Sequence, residues 1–281
     1  MELKQSGAEF FIPDNLTIEK GISRKTHMAI SAHQDDIEIM AYHGVLECFG
    51  KNDKWFFACV VTDGAGSPRD DLYFNYTDED MKIIRKKEQK KAAYVGEYGA
   101  LALMNYPSKY AKDPNNKDIV IELAELIDKA SPEIVYTHNL ADKHDTHVAV
   151  AAKVIKAIRT LPLEKHPKKL YACEVWRALD WINDNEKVLF GVEAHPNIAS
   201  AVLEVYDSQI CGGKRYDLAT IGRLANATYA ESHGTDNSKS LTYSMDLTPL
   251  IEDDSLDISE YILGYIDRFK QDVCSKIKKV I

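Results

Sequence analysis

Short apolar runs alternate along this chain with segments of helical period, and each run stops at a polar turn. Residues 27–32 (HMAISA) read as a buried strand that enters His33-Gln-Asp-Asp36 directly, after which 37–49 reads as a helix. A second run at 55–62 (WFFACVVT) ends in Asp63-Gly-Ala-Gly66 and is followed by a charged amphipathic helix over 81–94 that contains Arg85 and Glu88. A short strand at 100–103, a helix over 117–130, a strand at 133–137 (EIVYT) and a helix over 148–160 continue the alternation. This order predicts an α/β fold, a Rossmann-like, mostly parallel sheet sandwiched by helices.

Beyond residue 165 the pattern loosens. Strand candidates fall at 171–176, 188–190 and 201–205, with a helix over 216–230 and a last amphipathic helix over 257–281. Residues 1–26 read as an N-terminal arm with one short strand at 9–12, and the segment from about 240 as a C-terminal extension. The whole length of 281 residues fits one domain.

In a parallel sheet, ligands bind outside the carboxyl ends of the strands. Three polar segments stand there: His33-Gln-Asp35-Asp36, Asp63-Gly-Ala-Gly66, and the stretch from His138 to His147. A histidine beside two carboxylates at a strand end is costly to desolvate unless a cation accompanies it. Asp35 or Asp36 as a plain helix cap is the competing explanation, and His33 tips the balance toward a metal. One carboxylate can ligate while its neighbour serves as general base. Residues 138–147 hold three of the chain's nine histidines and two aspartates. His144 and His147, at i and i+3, can share one side of a helical turn. One can ligate while the other faces substrate, and His138, nearer the strand end, is an alternative ligand to His147. Gly64-Ala-Gly66 lacks phosphate-loop spacing and reads as a tight turn. Tyr73, Phe74 and Tyr76, in a loop, are candidates for an aromatic wall on which a ligand could stack.

These segments resemble the LmbE-like, or PIG-L-type, N-deacetylases. Ala32-His33-Gln34-Asp35-Asp36-Ile37-Glu38 is similar to that family's strand followed by Ala-His-Pro-Asp-Asp and a nearby acid. His144-Asp145-Thr146-His147 is similar to its His-x-Asp-His element, and Thr62-Asp63-Gly64, Arg85-Lys-Lys-Glu88 and Ser208-Gln209 match supporting features. The resemblance runs from about residue 27 to 232. It implies an LmbE-like fold and a hydrolase that removes an N-acetyl or other N-acyl group from an amino-sugar. It implies Zn2+, or another divalent metal, held by His33, Asp36 and His147. Asp35 would be the general base, protonated His144 would stabilise the oxyanion, and Arg85 would contact substrate.

Three departures stand out. Gln34 replaces the proline, and the glycines after the first motif thin out to Gly44. The carboxylate that orients a motif histidine is displaced by one position, which leaves Asp142 or Asp145 to orient His144. Competing readings are another metal-dependent amidase or phosphoesterase, and an inactive sugar-binding homologue.

A net charge of −9 argues against nucleic acid as a partner. Five scattered cysteines without a CxxC read as reduced thiols. No stretch approaches the roughly 18 apolar residues of a membrane span, and no signal peptide is visible. The expectation is a cytoplasmic protein acting on a small N-acetylated amino-sugar or glycoconjugate, with a homo-oligomer left open.

Overall fold

The computed structural model describes residues 1–24 and 26–281. In chain order the elements are β1 (Glu9–Phe11), α1 (Ile18–Ser23), β2 (His27–Ser31), α2 (Asp36–Met40), α3 (Tyr42–Cys48), β3 (Phe56–Thr62), α4 (Asp78–Val95), β4 (Ala100–Tyr106), α5 (Ser108–Lys112), α6 (Asp118–Ala130), β5 (Ile134–His138), α7 (Asp145–Arg159), β6 (Lys169–Cys173), β7 (Val188–Gly191), α8 (Pro196–Glu204), α9 (Asp207–Gln209), α10 (Gly222–Ser232), β8 (Leu241–Asp246), α11 (Pro249–Glu252) and α12 (Ile258–Val280). The eight strands form one sheet in the order β1-β4-β3-β2-β5-β6-β8-β7. The five central strands are parallel, and β1, β7 and β8 pair antiparallel at the margins. Among the described residues no helix is long and apolar enough to cross a membrane.

The apolar runs follow from burial on both sheet faces. Met28 and Ile30 face a core built with Leu123, Ile127, Val150 and Val154 of α6 and α7. Ala29, between them, faces the opposite core with Ile37, Val45, Phe56 and Val202. From β2 the chain builds outward through β3 and β4, then returns across the sheet to place β5 on the other side of β2. The order of strands therefore reverses between β2 and β5, and the loops leaving their carboxyl ends part to open a crevice.

Three expectations change. Residues 201–205 are not a strand but lie almost wholly within α8, which begins with Pro196 in its first turn, a position where the missing N–H costs nothing. Residues 241–246, read as the start of an extension, supply β8, inserted in the sheet between β6 and β7. The helix expected over 37–49 breaks at Ala41 into α2 and α3. Arg223 reaches in from α10 and donates through Nη2 to the carbonyls of Glu38 (2.8 Å) and Ile39 (2.9 Å). Those carbonyls would otherwise accept from residues four positions onward.

Gly44 sits where α3 crosses β5 and β3. A Cβ there would lie 2.7 Å from Cε2 of Tyr136 and 2.9 Å from Cε2 of Phe56. Both rings are fully buried, and the Tyr136 hydroxyl is fixed by His43 Nδ1 at 2.9 Å. Gly44→Ala is expected to destabilise the fold by about 1–3 kcal/mol, the usual cost of overpacking, read as a lowered Tm in thermal unfolding. An unchanged Tm would contradict this packing.

Candidate metal centre and cleft

The loop after β2 and the loop after β5 meet at the crevice. Asp36, the first residue of α2, turns its carboxylate back, so that Oδ2 accepts the backbone N–H of His33 at 2.7 Å. His33 Nδ1 lies 3.2 Å from the same oxygen and 3.2 Å from His147 Nε2, and His147 Nε2 lies 3.6 Å from Asp36 Oδ2. His147 arrives from the first turn of α7, and its Nδ1 lies 3.0 Å from Asp142 Oδ2. A carboxylate only accepts, so the hydrogen bond places the imidazole proton on Nδ1 and leaves the Nε2 lone pair facing Asp36 and His33. His33 Nδ1, His147 Nε2 and Asp36 Oδ2 thus converge on one point, where they can share protons or together hold a cation. Burial opposes charge on Asp36, yet the imidazoles of His147 and His33 hold its carboxyl well below the usual range. Burial likewise lowers His147, but Asp36 and Asp142 outweigh it and raise the imidazole pKa.

His138, the alternative ligand, is fully buried and stacked on His147 with centroids 4.0 Å apart. Its Nε2 accepts the backbone N–H of Ala32 at 2.8 Å, which ties β2 to β5, and lies 3.4 Å from Asp36 Oδ2, so it also stands within reach of the centre. Burial pushes its pKa down to about 4.

His144 is the N-cap of α7, and its Nδ1 accepts the N–H of Thr146 at 3.3 Å. Its ring centroid lies 4.6 Å from that of His147 and 4.9 Å from that of His33. Asp142 does not orient the His144 ring. It accepts the His144 backbone N–H through Oδ1 at 2.9 Å and gives its other oxygen to His147. Asp145 is exposed, and its side chain has no hydrogen-bond or ion-pair partner among the described residues.

Asp35 goes the other way. It takes a left-handed φ of 85°, unusual for a residue with a Cβ. Its Oδ2 meets Arg85 Nη2 at 2.5 Å, and the same nitrogen donates to the Gln34 carbonyl. Arg85 Nη1 donates to Glu88 Oε2 at 2.8 Å. Arg85 was expected to reach substrate. Although it lines the cleft it is 1% exposed, with its terminal nitrogens committed to Asp35, Gln34 and Glu88. Burial holds the Asp35 carboxyl well above the usual carboxylate range, and the Arg85 guanidinium offsets this only in part. Gln34 pins the loop by donating to the Thr62 carbonyl at 3.0 Å. Gly64, with φ of 74°, leaves room for Gln34 and Arg85, since a Cβ there would lie 2.7 Å from Gln34 Oε1. Close approach accounts for that glycine.

The site opens into a cleft of about 470 Å³. Trp176 and Tyr216, in edge contact with centroids 4.7 Å apart, form its aromatic lining, and Gln209, Lys112 and Lys214 line it beside them. The wall expected from Tyr73, Phe74 and Tyr76 does not line it. Tyr73 is instead buried, donating to Asp207 at 2.6 Å. Trp176 and Tyr216 were missed because only the paths of the loop after β6 and the 210–216 segment bring them to the cleft.

Residues 28–158 match the PIG-L family model, described as GlcNAc-PI de-N-acetylase. The N,N'-diacetylchitobiose deacetylase of Pyrococcus horikoshii superposes with a TM-score of 0.64 at 14% identity, over 86% of this chain and 90% of that one. The 4-carboxy-2-hydroxymuconate hydratase GalB of Pseudomonas putida gives 0.63 at 16% identity, over 79% and 95%. A conserved protein of Thermus thermophilus gives 0.62 at 14% identity, over 79% and 94%. At these identities the likeness is one of fold. No curated protein sequence matches.

Asp142 and Asp145 separate cleanly in a test. Asp142→Ala is expected to weaken divalent-metal affinity about 10- to 100-fold, the usual effect of losing a carboxylate that orients a ligating histidine, whereas Asp145→Ala leaves it unchanged. Calorimetric titration with Zn2+ reads both, and equal affinities in the two variants would contradict the assignment.

Proposed function

We propose that this chain, which carries a PIG-L family domain over residues 28–158, is a metal-dependent hydrolase that removes the acetyl group from the nitrogen of an amino-sugar. The observation that carries this reading is the convergence of three potential ligand atoms, His33 Nδ1, His147 Nε2 and Asp36 Oδ2, beside a second carboxylate, Asp35, in the same cleft. Two imidazole nitrogens and one carboxylate oxygen are a common ligand set for catalytic zinc with an open position. Among the described residues, two groupings of side chains could hold an ion, His33 with His144 and His147, and Asp36 with His138 and His147; the proposed set takes His33, Asp36 and His147 from the two. When bound there, a divalent ion would acidify a water molecule and polarise the amide carbonyl.

The chain's own residues divide the remaining work. Arg85 holds Oδ2 of Asp35, and Oδ1 has no hydrogen-bond partner among the described residues. Asp35 takes a proton from the attacking water and returns it to the nitrogen as the C–N bond breaks. Water thus adds across the amide, giving acetate and a free amine. His144 acts as a neutral donor and not as an imidazolium. With Nδ1 accepting from Thr146, the neutral ring carries its proton on Nε2. Although the residue is exposed, partial desolvation of the ring and the neighbouring imidazoles of His33 and His147 lower its pKa. From that position Nε2–H stabilises the charge developing on the carbonyl oxygen. Trp176 and Tyr216 offer apolar faces to the sugar ring. The deacetylase activity named for the Pyrococcus protein supports this substrate class. The hydratase on a similar fold illustrates why the side chains, and not the fold, must carry the assignment.

Asp35→Asn is expected to retain its metal while acetate release from N-acetylglucosamine and its glycosides falls about 10²- to 10⁴-fold, the range for loss of general acid–base catalysis. Undiminished turnover would remove Asp35 from this role. A wild-type protein that releases no acetate across the panel would overturn the deacetylase reading itself.

A further inference from the structure

Glu88 lies outside every role assigned so far, yet it is 2% exposed and accepts from three donors. Its Oε2 takes Arg85 Nη1 and the Ser208 hydroxyl, each at 2.8 Å, and its Oε1 takes the Ser208 backbone N–H at 2.7 Å. Ser208 is fully buried, and its hydroxyl in turn accepts Gln209 Nε2 at 3.0 Å. A continuous buried chain therefore runs from Asp35 through Arg85 and Glu88 to Ser208 and Gln209. Its two ends are opposite parts of the cleft. One is the carboxylate beside the metal centre, and the other is the segment that brings Gln209, Lys214 and Tyr216 to the lining.

We propose that Glu88 is a positioning residue that registers the Asp35 carboxylate against the substrate wall begun by Ser208. Three observations support this. Arg85 and Glu88 stand at i and i+3 on α4, a rigid element with a complete capping box at Thr77 and Asp80. Asp35 holds a left-handed backbone that its surroundings must enforce, and Arg85 grips that turn at both the Asp35 carboxylate and the Gln34 carbonyl. The 207–216 segment, for its part, contains a π-helical turn at Ile210–Lys214, a form that occurs mostly as short interruptions at functional sites. The two hydrogen bonds from Ser208 to Glu88 fix its start.

The role rests on Asp35 being the proton-transfer group, so the test reads kinetics and structure separately. In Glu88→Gln the amide can still accept from the Ser208 N–H, but its other end no longer offers Arg85 a carboxylate. Expected is a fall in kcat of roughly ten- to a hundredfold for acetate release from N-acetylglucosamine, the size of a lost charge-assisted hydrogen bond. KM should rise alongside, and metal content should stay at the wild-type level. Ser208→Ala, which spares the Arg85–Glu88 pair, should raise KM with a much smaller change in kcat. In an Asp35→Asn background, Glu88→Gln should lower kcat no further. Full additivity there, or loss of metal in Glu88→Gln, would overturn the proposal. So would unchanged kcat and KM in a folded Glu88→Gln protein. Hydrogen exchange supplies the reading independent of activity: amides at 34–36 and at 208–210 should lose protection together in Glu88→Gln, and loss confined to one segment would contradict the coupling. Should the wild type release no acetate, the functional reading fails alone, and exchange still decides whether Glu88 joins the two walls.

Discussion

Three potential ligand atoms, His33 Nδ1, His147 Nε2 and Asp36 Oδ2, converge within 3.2 to 3.6 Å of one another, an arrangement that calls for shared protons or a cation among them. That constraint organises the loops at the carboxyl ends of β2 and β5. Asp142 sets it by holding Nδ1 of His147, so that Nε2 of the neutral ring turns its lone pair to His33 and Asp36. The sheet makes the meeting possible, because the order of strands reverses between β2 and β5 and the two loops diverge over one crevice. His138 closes the gap beneath, bonded to Ala32.

The adjacent aspartates illustrate how one turn can supply two chemistries. Asp36 begins α2 and faces imidazoles, while Asp35, one residue earlier in a left-handed conformation, faces a guanidinium. The Asp35–Arg85–Glu88 chain is almost wholly buried. Breaking such a pair strands its partner, a loss of about 3–5 kcal/mol when one buried charge is left uncompensated. The arrangement is therefore held firmly wherever it forms, which suits a group that must meet a substrate in one geometry.

Much of this was legible in the sequence. Strands buried on both faces announce themselves as continuous apolar runs, so β2, β3 and β5 and the polar segments at their ends could be read directly, and with them His33, Asp36, Asp35, His144 and His147. What was missed depends on distant partners. β8 carries weaker apolar signal because it lies near the sheet margin, and 201–205 is apolar enough to suit either a strand or the buried face of α8. The break at Ala41 needs Arg223, which lies far along the chain in α10. Asp142, rather than Asp145, reaches a histidine ring because the 139–144 loop folds back on itself, with Asn139 and Asp142 each accepting a backbone N–H two residues on. Arg85 looked available for substrate because Glu88 and Asp35 converge on it only in three dimensions.

The proposed roles of the site residues all turn on a cation held by His33, Asp36 and His147. Titrating Zn2+ into metal-stripped protein by calorimetry tests it most directly. The predicted result is one ion bound per chain, with binding lost in His147→Ala. Absence of stoichiometric binding in the wild type, or binding undiminished in His147→Ala, would contradict it.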